Sequence, residues 1–318
     1  MPYLELVAGI VYLLMGGDLL VRGAVALARR WNLSPMLVGV TIVALGTSAP
    51  ELFVSVGAAI SGHPGIAIGN VVGSNIANAL LVVGAMAAVS PITVDAATTR
   101  RETVAMLVAS VALVALCANG ILGRIEGILL LAATFGFLGR KIRQGARGHA
   151  AHPAPHARLE WVLGLPSRTW MVTLFILVGV VWLPLGAGLL VESASAIAAR
   201  FGVAESIVGL TIVALGTSLP ELATAFVAIS RREVDVALGN VIGSNVLNII
   251  AILGAAAALS PRPIPIPPRS LVLDLPMLLA STGVVAAYGL RGGRIPRPIG
   301  AGLLLAYLAY VAVLFLAG

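Results

Sequence analysis

Charged residues are scarce in this chain: Asp, Glu, Lys and Arg together make up 10% of its 318 residues. A typical soluble domain has about 25% charged residues, so the composition excludes that class of protein. Cysteine is nearly absent too, because Cys117 is the single one, and no intrachain disulfide is possible. The chain also lacks nucleotide-binding and nucleophile-and-base motifs. We therefore expect neither an enzyme nor a protein with a cofactor.

Long apolar runs are abundant instead, with 59% hydrophobic residues and a mean hydropathy of +1.04. A helix of about 20 apolar residues crosses a bilayer. Asp18 and Arg22 interrupt the first run, so we expect it to remain as a span and not to be removed as a signal peptide. The sequence predicts an all-α integral membrane protein with ten transmembrane helices, near 3–27, 33–61, 64–89, 102–119, 122–139, 170–197, 203–230, 233–258, 271–290 and 297–317.

The net charge of +7 is explained by the orientation of the chain in a membrane. If residues 140–168 are cytoplasmic, fifteen Lys and Arg residues lie on that side and four on the other, with Arg22 inside a span. Cytoplasmic loops carry such an excess of positive charge. We expect a multi-pass protein of the cell (inner) membrane with both termini outside the cytoplasm. Lipid is then the expected partner, and nucleic acid is not.

The chain contains an internal repeat with an offset of 170 residues. ALGTSAPELFVSV at 44–56 recurs as ALGTSLPELATAFV at 214–227. We predict a first repeat at 1–139 (helices 1 to 5), a cytoplasmic connector at 140–168 and a second repeat at 169–318 (helices 6 to 10). Because five spans per repeat is an odd number, the second repeat must enter the membrane from the opposite side. Inverted-topology repeats are typical of secondary transporters, which bind substrate where interrupted helices meet at the midplane.

A Pro-Glu pair lies at the centre of each repeat, at Pro50–Glu51 and Pro220–Glu221. Proline has no N–H and therefore frees a backbone carbonyl four residues earlier. A freed carbonyl in hydrocarbon is costly unless it lines a cavity, and ionisable residues at membrane depth mark functional paths. We therefore predict broken helices at the centre and an oxygen cluster that includes the neighbouring hydroxyls of Thr47, Ser48, Thr217 and Ser218.

The next span of each repeat contains GNVVGSNIAN at 69–78 or GNVIGSNVLN at 239–248. Ser74 and Asn78 are four residues apart and therefore share one helical face, as do Ser244 and Asn248. We expect these polar faces to point towards the glutamates.

Carboxylates, carbonyls and hydroxyls are hard oxygen donors, which suit Ca²⁺, Mg²⁺ or Na⁺ and not zinc or copper. Ca²⁺ is favoured because it takes about six to eight oxygens in flexible geometry, whereas Mg²⁺ requires a tight octahedron. Two carboxylates would be neutralised by one Ca²⁺ or by about two Na⁺, so shared oxygens make these ions compete.

The pairs GTSAPE with GNVVGSNIAN and GTSLPE with GNVIGSNVLN resemble the two alpha repeats of the sodium/calcium exchanger branch of the calcium/cation antiporter superfamily. The resemblance implies an electrogenic antiporter that drives Ca²⁺ out of the cell against Na⁺ by alternating access. It implies Ca²⁺ and Na⁺ binding by Glu51 and Glu221, and Ca²⁺ binding by the carbonyls of Thr47 and Thr217. The implied outer Na⁺ ligands are Ala44, Ser48, Ser74, Ala214, Ser218 and Ser244, and Asn78 and Asn248 complete the centre.

The chain departs from parts of this superfamily at two places. Some microbial relatives and the potassium-dependent branch have Asp where Asn248 stands, so we expect no K⁺ requirement. The proton-coupled branch has GNAxE in place of GTSxPE, and this chain does not. A Ca²⁺/H⁺ exchanger remains an alternative because the same glutamates could serve it, and a cation channel is the alternative from another class. The oligomeric state is left open, although a monomer suffices for transport.

Several residues of the spans have weaker interpretations. Glycines of the first and sixth spans predict a smooth contact face on which these helices slide, namely Gly9, Gly16, Gly17, Gly23, Gly179, Gly186 and Gly188. Asp18 and Asp274 are expected to be solvated near helix ends, and Arg22 is expected to extend to the membrane interface.

Overall fold

The computed structural model describes residues 2–148, 165–166, 168–201 and 214–316, and nearly all of these are helical. Helices predominate because an apolar segment in lipid has to satisfy its own backbone N–H and C=O groups. The helices are α1 Pro2–Arg30, α2 Pro35–Thr47, α3 Ala49–Ile60, α4 Pro64–Val89, α5 Ala96–Cys117, α6 Arg124–Gly148, α7 Thr169–Arg200, α8 Ala214–Gly216, α9 Leu219–Ser230, α10 Val234–Leu259, α11 Ser270–Arg291 and α12 Arg297–Leu316.

Six helices are long and apolar enough to cross a membrane, namely α1, α4, α7, α10, α11 and α12. The pair α2 and α3 meets the same criteria as one span bent by 49°. The protein is therefore a multi-pass membrane protein. The predicted number of spans was ten, and the remaining three stay a prediction. α5 and α6 are long enough, but each carries a cluster of charges near one end, and α9 has only 12 residues.

The helix α6 extends to Gly148, so it continues into the predicted connector at 140–168. The next long helix, α7, begins at Thr169, where the second repeat was predicted to begin. Residues 149–164, most of the connector, lie outside the described residues, as do residues 202–213 at the start of the predicted seventh span. The domain boundaries at 139 and 168 stay predictions.

The central helices of the two halves correspond at the predicted offset. α3 and α9 each have 12 residues, and their first residues, Ala49 and Leu219, are 170 positions apart. α4 and α10 each have 26 residues, and each contains a π-helical turn, which begins at Asn78 in α4 and at Asn248 in α10. Because π-helical turns are frequent at functional sites, these two turns indicate where to look for one.

Two short β-ribbons are an addition to the predicted all-α fold. β1 (Ile92–Val94) pairs antiparallel with β4 (Gly293–Ile295), and β2 (Ile121–Leu122) pairs with β3 (Ile264–Pro265). All four strands lie in the links between helices, where Ile, Val and Thr favour extended backbone. Each ribbon joins one strand of the first half to one strand of the second half.

The α4 and α10 helices form the centre of the protein. Within their apolar windows, 72% of the residues of α4 and 83% of those of α10 are buried, compared with 22% to 33% in α1, α7 and α12. A helix that is buried all round normally carries apolar side chains on every face. The polar residues of α4 and α10 therefore lie in the interior of the protein.

The α1 and α7 helices approach each other closely at reciprocal glycines. A Cβ atom on Gly9 would lie 2.9 Å from the carbonyl oxygen of Gly186, and one on Gly179 would lie 2.7 Å from that of Gly16. Gly9 and Gly179 are 170 positions apart, as are Gly16 and Gly186, so the contact repeats about a two-fold relation. These glycines differ from the prediction, because they lie between α1 and α7 and not on a face towards the other helices. Gly17 agrees with it, since a Cβ there would lie 3.4 Å from Ala223 of α9, whereas a Cβ on Gly188 would meet no described atom within 4 Å.

The structure corrects the expectations for Asp18 and Asp274. Asp18 is not solvated at a helix end, since its carboxylate accepts a hydrogen bond from Arg231 Nε at 2.6 Å and contacts Arg22 Nη1 at 3.3 Å. Asp274 is buried and accepts hydrogen bonds from two hydroxyls, those of Ser270 and Tyr310. Burying a carboxylate in an apolar protein costs free energy unless hydrogen-bond donors or a cation pair with it, and both aspartates have such partners.

Candidate ion-binding site

Both Pro-Glu pairs lie immediately after a helix break. Ser48, with φ −85° and ψ 8°, separates α2 from α3, and Ser218 adopts nearly the same conformation before α9, with φ −90° and ψ 2°. Pro50 and Pro220 occupy the second position of α3 and α9, where the missing N–H is tolerated. The breaks place Glu51 and Glu221 in the first helical turn, and both side chains are fully buried.

Hydroxyl groups from both halves surround the two carboxylates. Glu221 Oε1 accepts hydrogen bonds from Ser48 Oγ at 3.1 Å and from Ser244 Oγ at 3.4 Å. Glu51 Oε1 accepts one from Ser74 Oγ at 3.3 Å, and Ser74 Oγ lies 3.3 Å from Ser218 Oγ. Ser74 of α4 and Ser244 of α10 thus point towards the glutamates, as expected for the polar faces of these helices.

The two threonines of the repeat make equivalent contacts across the halves. Thr47 Oγ1 donates to Asn240 Oδ1 at 3.0 Å, and Thr217 Oγ1 donates to Asn70 Oδ1 at 3.3 Å. Because Thr217 and Asn240 are the offset equivalents of Thr47 and Asn70, the two bonds are the same bond with the halves exchanged, and the site has an approximate two-fold symmetry. The threonine side chains therefore hold the broken helices against α4 and α10.

Several buried polar atoms at this site have no hydrogen-bond partner in the described structure. They include Oε2 of Glu51 and of Glu221, both amide atoms of Asn78 and of Asn248, and Nδ2 of Asn240. Leaving a buried polar group unpaired costs about 1 to 3 kcal/mol, and more for a charged group. Such groups require an explanation, of which a bound ion is one. These atoms would supply four further oxygens to a cation.

Ala44, one of the two alanines of the predicted set, forms hydrogen bonds at the helix break through its backbone carbonyl. The carbonyl oxygen of Ala44 accepts hydrogen bonds from Ser48 N at 3.0 Å and from Thr47 Oγ1 at 3.4 Å. Ala44 is fully buried one turn before the break, and Ala214 begins α8 at the equivalent place. All twelve predicted residues therefore lie in α2 to α4 and in α8 to α10, or at the breaks between these helices.

Sequence reasoning missed Asn70 and Asn240, which bind the two threonines. Asn70 Nδ2 also donates to Ser55 Oγ at 2.9 Å and to the Glu51 carbonyl at 3.4 Å. A signal was available, because Asn70 lies four residues before Ser74 and therefore on the same helical face. The asparagines thus extend the polar face by one turn.

The donor set is composed of oxygen and amide groups. No cluster of three or more His, Cys, Asp and Glu side chains occurs among the described residues. Zinc and copper sites use imidazole or thiolate ligands, whereas Ca²⁺ takes carboxylate, carbonyl and hydroxyl oxygens. The arrangement can therefore hold a hard cation between the two halves.

Comparisons with known proteins agree with this geometry. A family model described as sodium/calcium exchanger protein matches residues 2–142 and 171–316. CaxA of Alkalimonas amylolytica is 39% identical over 310 residues, 96% of each chain. The sodium/calcium exchanger MaX1 of Methanosarcina acetivorans is 31% identical over 351 residues, 98% of each chain. A solved structure of the sodium-calcium exchanger NCX_Mj, soaked with Na⁺ and Sr²⁺, has a TM-score of 0.82 and 28% identity, and covers 98% of this chain and 97% of its own.

Proposed function

The chain belongs to the sodium/calcium exchanger family, and from this premise we propose that it exchanges Na⁺ for Ca²⁺ across the cell (inner) membrane by alternating access. The observation that carries the proposal is the pair of buried glutamates, Glu51 and Glu221, each with one carboxylate oxygen that no described donor binds. Two buried negative charges require a counter-charge. A transported cation supplies it.

The same site serves both ions in turn. One Ca²⁺ or about two Na⁺ neutralise the two carboxylates, and both ions use the same oxygens, so binding of one excludes the other. Mutual exclusion is the condition for exchange, since the empty site is too unfavourable electrostatically to change sides. The proposed ligands are Glu51, Glu221, Asn78, Asn248, the carbonyls of Thr47 and Thr217, and the Na⁺ ligands Ala44, Ser48, Ser74, Ala214, Ser218 and Ser244.

The proposed architecture is ten membrane helices in two inverted repeats of five, with both termini outside the cytoplasm. Three features that relate the two halves support this architecture. They are the equivalent hydrogen bonds of Thr47 and Thr217, the β-ribbons that pair strands of both halves, and the reciprocal glycine contacts of α1 and α7. Closely packed glycines leave a shallow surface between α1 and α7. We propose that these two helices slide together across the remaining helices while the site stays in place.

Exchange of about three Na⁺ for one Ca²⁺, as the family resemblance implies, would move one net charge per cycle. One elementary charge is worth about 2.3 kcal/mol per 100 mV of membrane potential. The negative interior of a cell then favours export of Ca²⁺. An electroneutral cycle would not depend on the membrane potential, and a proton-coupled cycle would not depend on Na⁺.

The test is uptake of ⁴⁵Ca²⁺ into proteoliposomes loaded with Na⁺. Uptake should require the outward Na⁺ gradient and should increase when the vesicle interior is made positive. Glu51→Gln and Glu221→Gln should each abolish it, because each removes half of the site's negative charge. Glu192→Gln is the matched control, since Glu192 is an exposed glutamate of α7 and should leave uptake unchanged.

Three outcomes would contradict the proposal. Uptake driven equally well by a proton gradient would identify a Ca²⁺/H⁺ exchanger. Passage of Ca²⁺ without any counter-ion would identify a channel. Full uptake in both glutamate variants would show that Glu51 and Glu221 are not the ion ligands.

A further inference from the structure

A groove of about 640 Å³ lies between α5 and α6, away from the two glutamates. Its walls are mostly small or branched apolar side chains of these two helices, together with Phe137 of α6, and Val246 and Ile250 of α10 also line it. Three arginines, Arg100, Arg101 and Arg140, line the groove at the end where α5 begins and the described part of α6 nears its own end. The groove is therefore apolar along its length and strongly positive at one end.

The three arginines carry charge that the described part of the chain does not neutralise. All three are exposed, and no carboxylate among the described residues forms a salt bridge with them. The carboxylate nearest in sequence, Glu102, is already paired with the buried Lys141. Guanidinium groups bind phosphate oxygens in a planar, two-bond geometry. A ligand that satisfies the whole groove must be anionic at one end and apolar along the rest.

We propose that this groove binds one anionic phospholipid, with its phosphate on Arg100, Arg101 and Arg140 and an acyl chain along the apolar wall. Basic pockets between membrane helices on the cytoplasmic side bind anionic headgroups. The predicted orientation of the chain places these arginines on that side. Charge complementarity and the length of the apolar wall both select a phospholipid over a free anion.

The counterpart of this groove in the other half is a pocket of about 130 Å³ between α4, α11 and α12, whose lining includes Arg269 and the buried Asp274. The residues 170 positions after the three arginines are Ser270, Leu271 and Tyr310, none of which is positively charged. Since the repeat would otherwise generate the same surface on the opposite side, the basic end belongs to one leaflet only. The counterpart pocket therefore has one arginine and one aspartate, whereas the groove has three arginines and no acidic residue in its lining.

The back wall of the groove belongs to the helix that carries half of the ion site. Val246 and Ile250 are one turn apart on α10, and Ser244 and Asn248 lie two residues from them. Two residues along an α-helix correspond to about 200°, so these pairs occupy opposite faces. The helix α10 therefore separates the acyl chain from Glu221, and the lipid packs against the face of α10 opposite to the ion site. This consequence for transport rests on the proposed function, whereas binding of the lipid does not.

The test uses the full chain, delipidated in detergent and titrated with phosphatidylglycerol or phosphatidylcholine, with bound lipid counted by native mass spectrometry. We expect one tightly held phosphatidylglycerol and no comparable phosphatidylcholine. The triple variant Arg100→Gln, Arg101→Gln, Arg140→Gln should weaken binding on the order of a hundredfold, at about tenfold or less per arginine. Ala133→Trp should also weaken it, because the indole fills the groove and leaves the arginines in place.

The matched control is the triple variant Arg143→Gln, Arg291→Gln, Arg294→Gln, which removes the same charge from exposed residues outside the groove. Equal weakening in both triple variants would overturn the proposal in favour of a general effect of charge. Displacement of the lipid by inorganic phosphate at constant ionic strength would show an anion site without an acyl requirement, which also overturns it. Because lipid is counted directly, loss of Na⁺-driven uptake and loss of lipid binding are separate results.

Discussion

Replacing Asp18 by Asn should release α1 from the turn between α9 and α10. Two ion pairs hold this contact: Asp18 with Arg231, at 2.6 Å to Nε, and Arg29 with Glu233, at 3.9 Å. The offset equivalents of Asp18 and Arg231 are Gly188 and Ser61, which cannot form an ion pair, so the clamp exists in one half only. If α1 slides during transport, the clamp stabilises one conformation relative to the other.

The magnitude follows from the exposure of the pair. The side chains of Asp18 and Arg231 are 29% and 30% exposed. An exposed pair contributes about 0.2 to 1 kcal/mol, whereas loss of one partner from a buried pair costs about 3 to 5 kcal/mol. A half-buried pair should contribute about 1 to 2 kcal/mol, which corresponds to about a 5-fold to 30-fold shift between the two conformations.

The assay measures apparent Na⁺ and Ca²⁺ affinities separately on the two sides of oriented proteoliposomes. In Asp18→Asn the affinity should rise on one side and fall on the other, because the population of outward and inward conformations changes. The exchanged pair Asp18→Arg with Arg231→Asp should restore the original values in part. Equal changes on both sides, or none, would refute the reasoning that the clamp distinguishes two transport conformations.

Three further predictions concern the site, the helix contact and the buried ion pair. Asn248→Leu should raise the melting temperature without ions, since it removes unpaired buried amide atoms, and should reduce the stabilisation by added Ca²⁺; a fall in the ion-free melting temperature would contradict this. Gly186→Leu should block transport, because a Cβ there would lie 2.9 Å from a carbonyl oxygen of α1, whereas Gly188→Leu, whose Cβ meets no described atom within 4 Å, should transport normally. Lys141→Met should destabilise the protein in thermal unfolding by about 3 to 5 kcal/mol, because it leaves Glu102 buried and unpaired, and adding Glu102→Leu should recover most of the loss.

The centre of the protein was accessible from sequence because two periodicities coincide there. The 170-residue offset identified the equivalent glutamates, and the polar face of α4 was expected to point towards Glu51, which Ser74 contacts. Both patterns can be read directly from the sequence. They consist of polar or ionisable residues, which are costly inside a membrane and therefore mark functional positions. The prediction that these residues bind ions remains to be tested by transport measurements.

Contacts between distant elements were not accessible from sequence. Asp18 and Arg231 are 213 residues apart, and the helical spacing of Asp18 predicts a pair with Arg22 but not the pair with Arg231. The hydrogen bond between Thr47 and Asn240 likewise depends on how the two halves dock. The ribbons escaped prediction because strands of two or three residues are too short for an alternating pattern to be recognised.

The two β-ribbons, each of which joins a strand of the first half to a strand of the second half, have a consequence for folding during synthesis. β1 at Ile92–Val94 can pair only after β4 at Gly293–Ile295 has been synthesised and has left the ribosome. β2 can likewise pair only after β3 has been synthesised. Pairings at such long sequence separation form late, because the entropy of closing the loop has to be overcome first. The amino-terminal half therefore stays incomplete during most of translation, and two halves expressed as separate polypeptides would mature only when both are made in one cell.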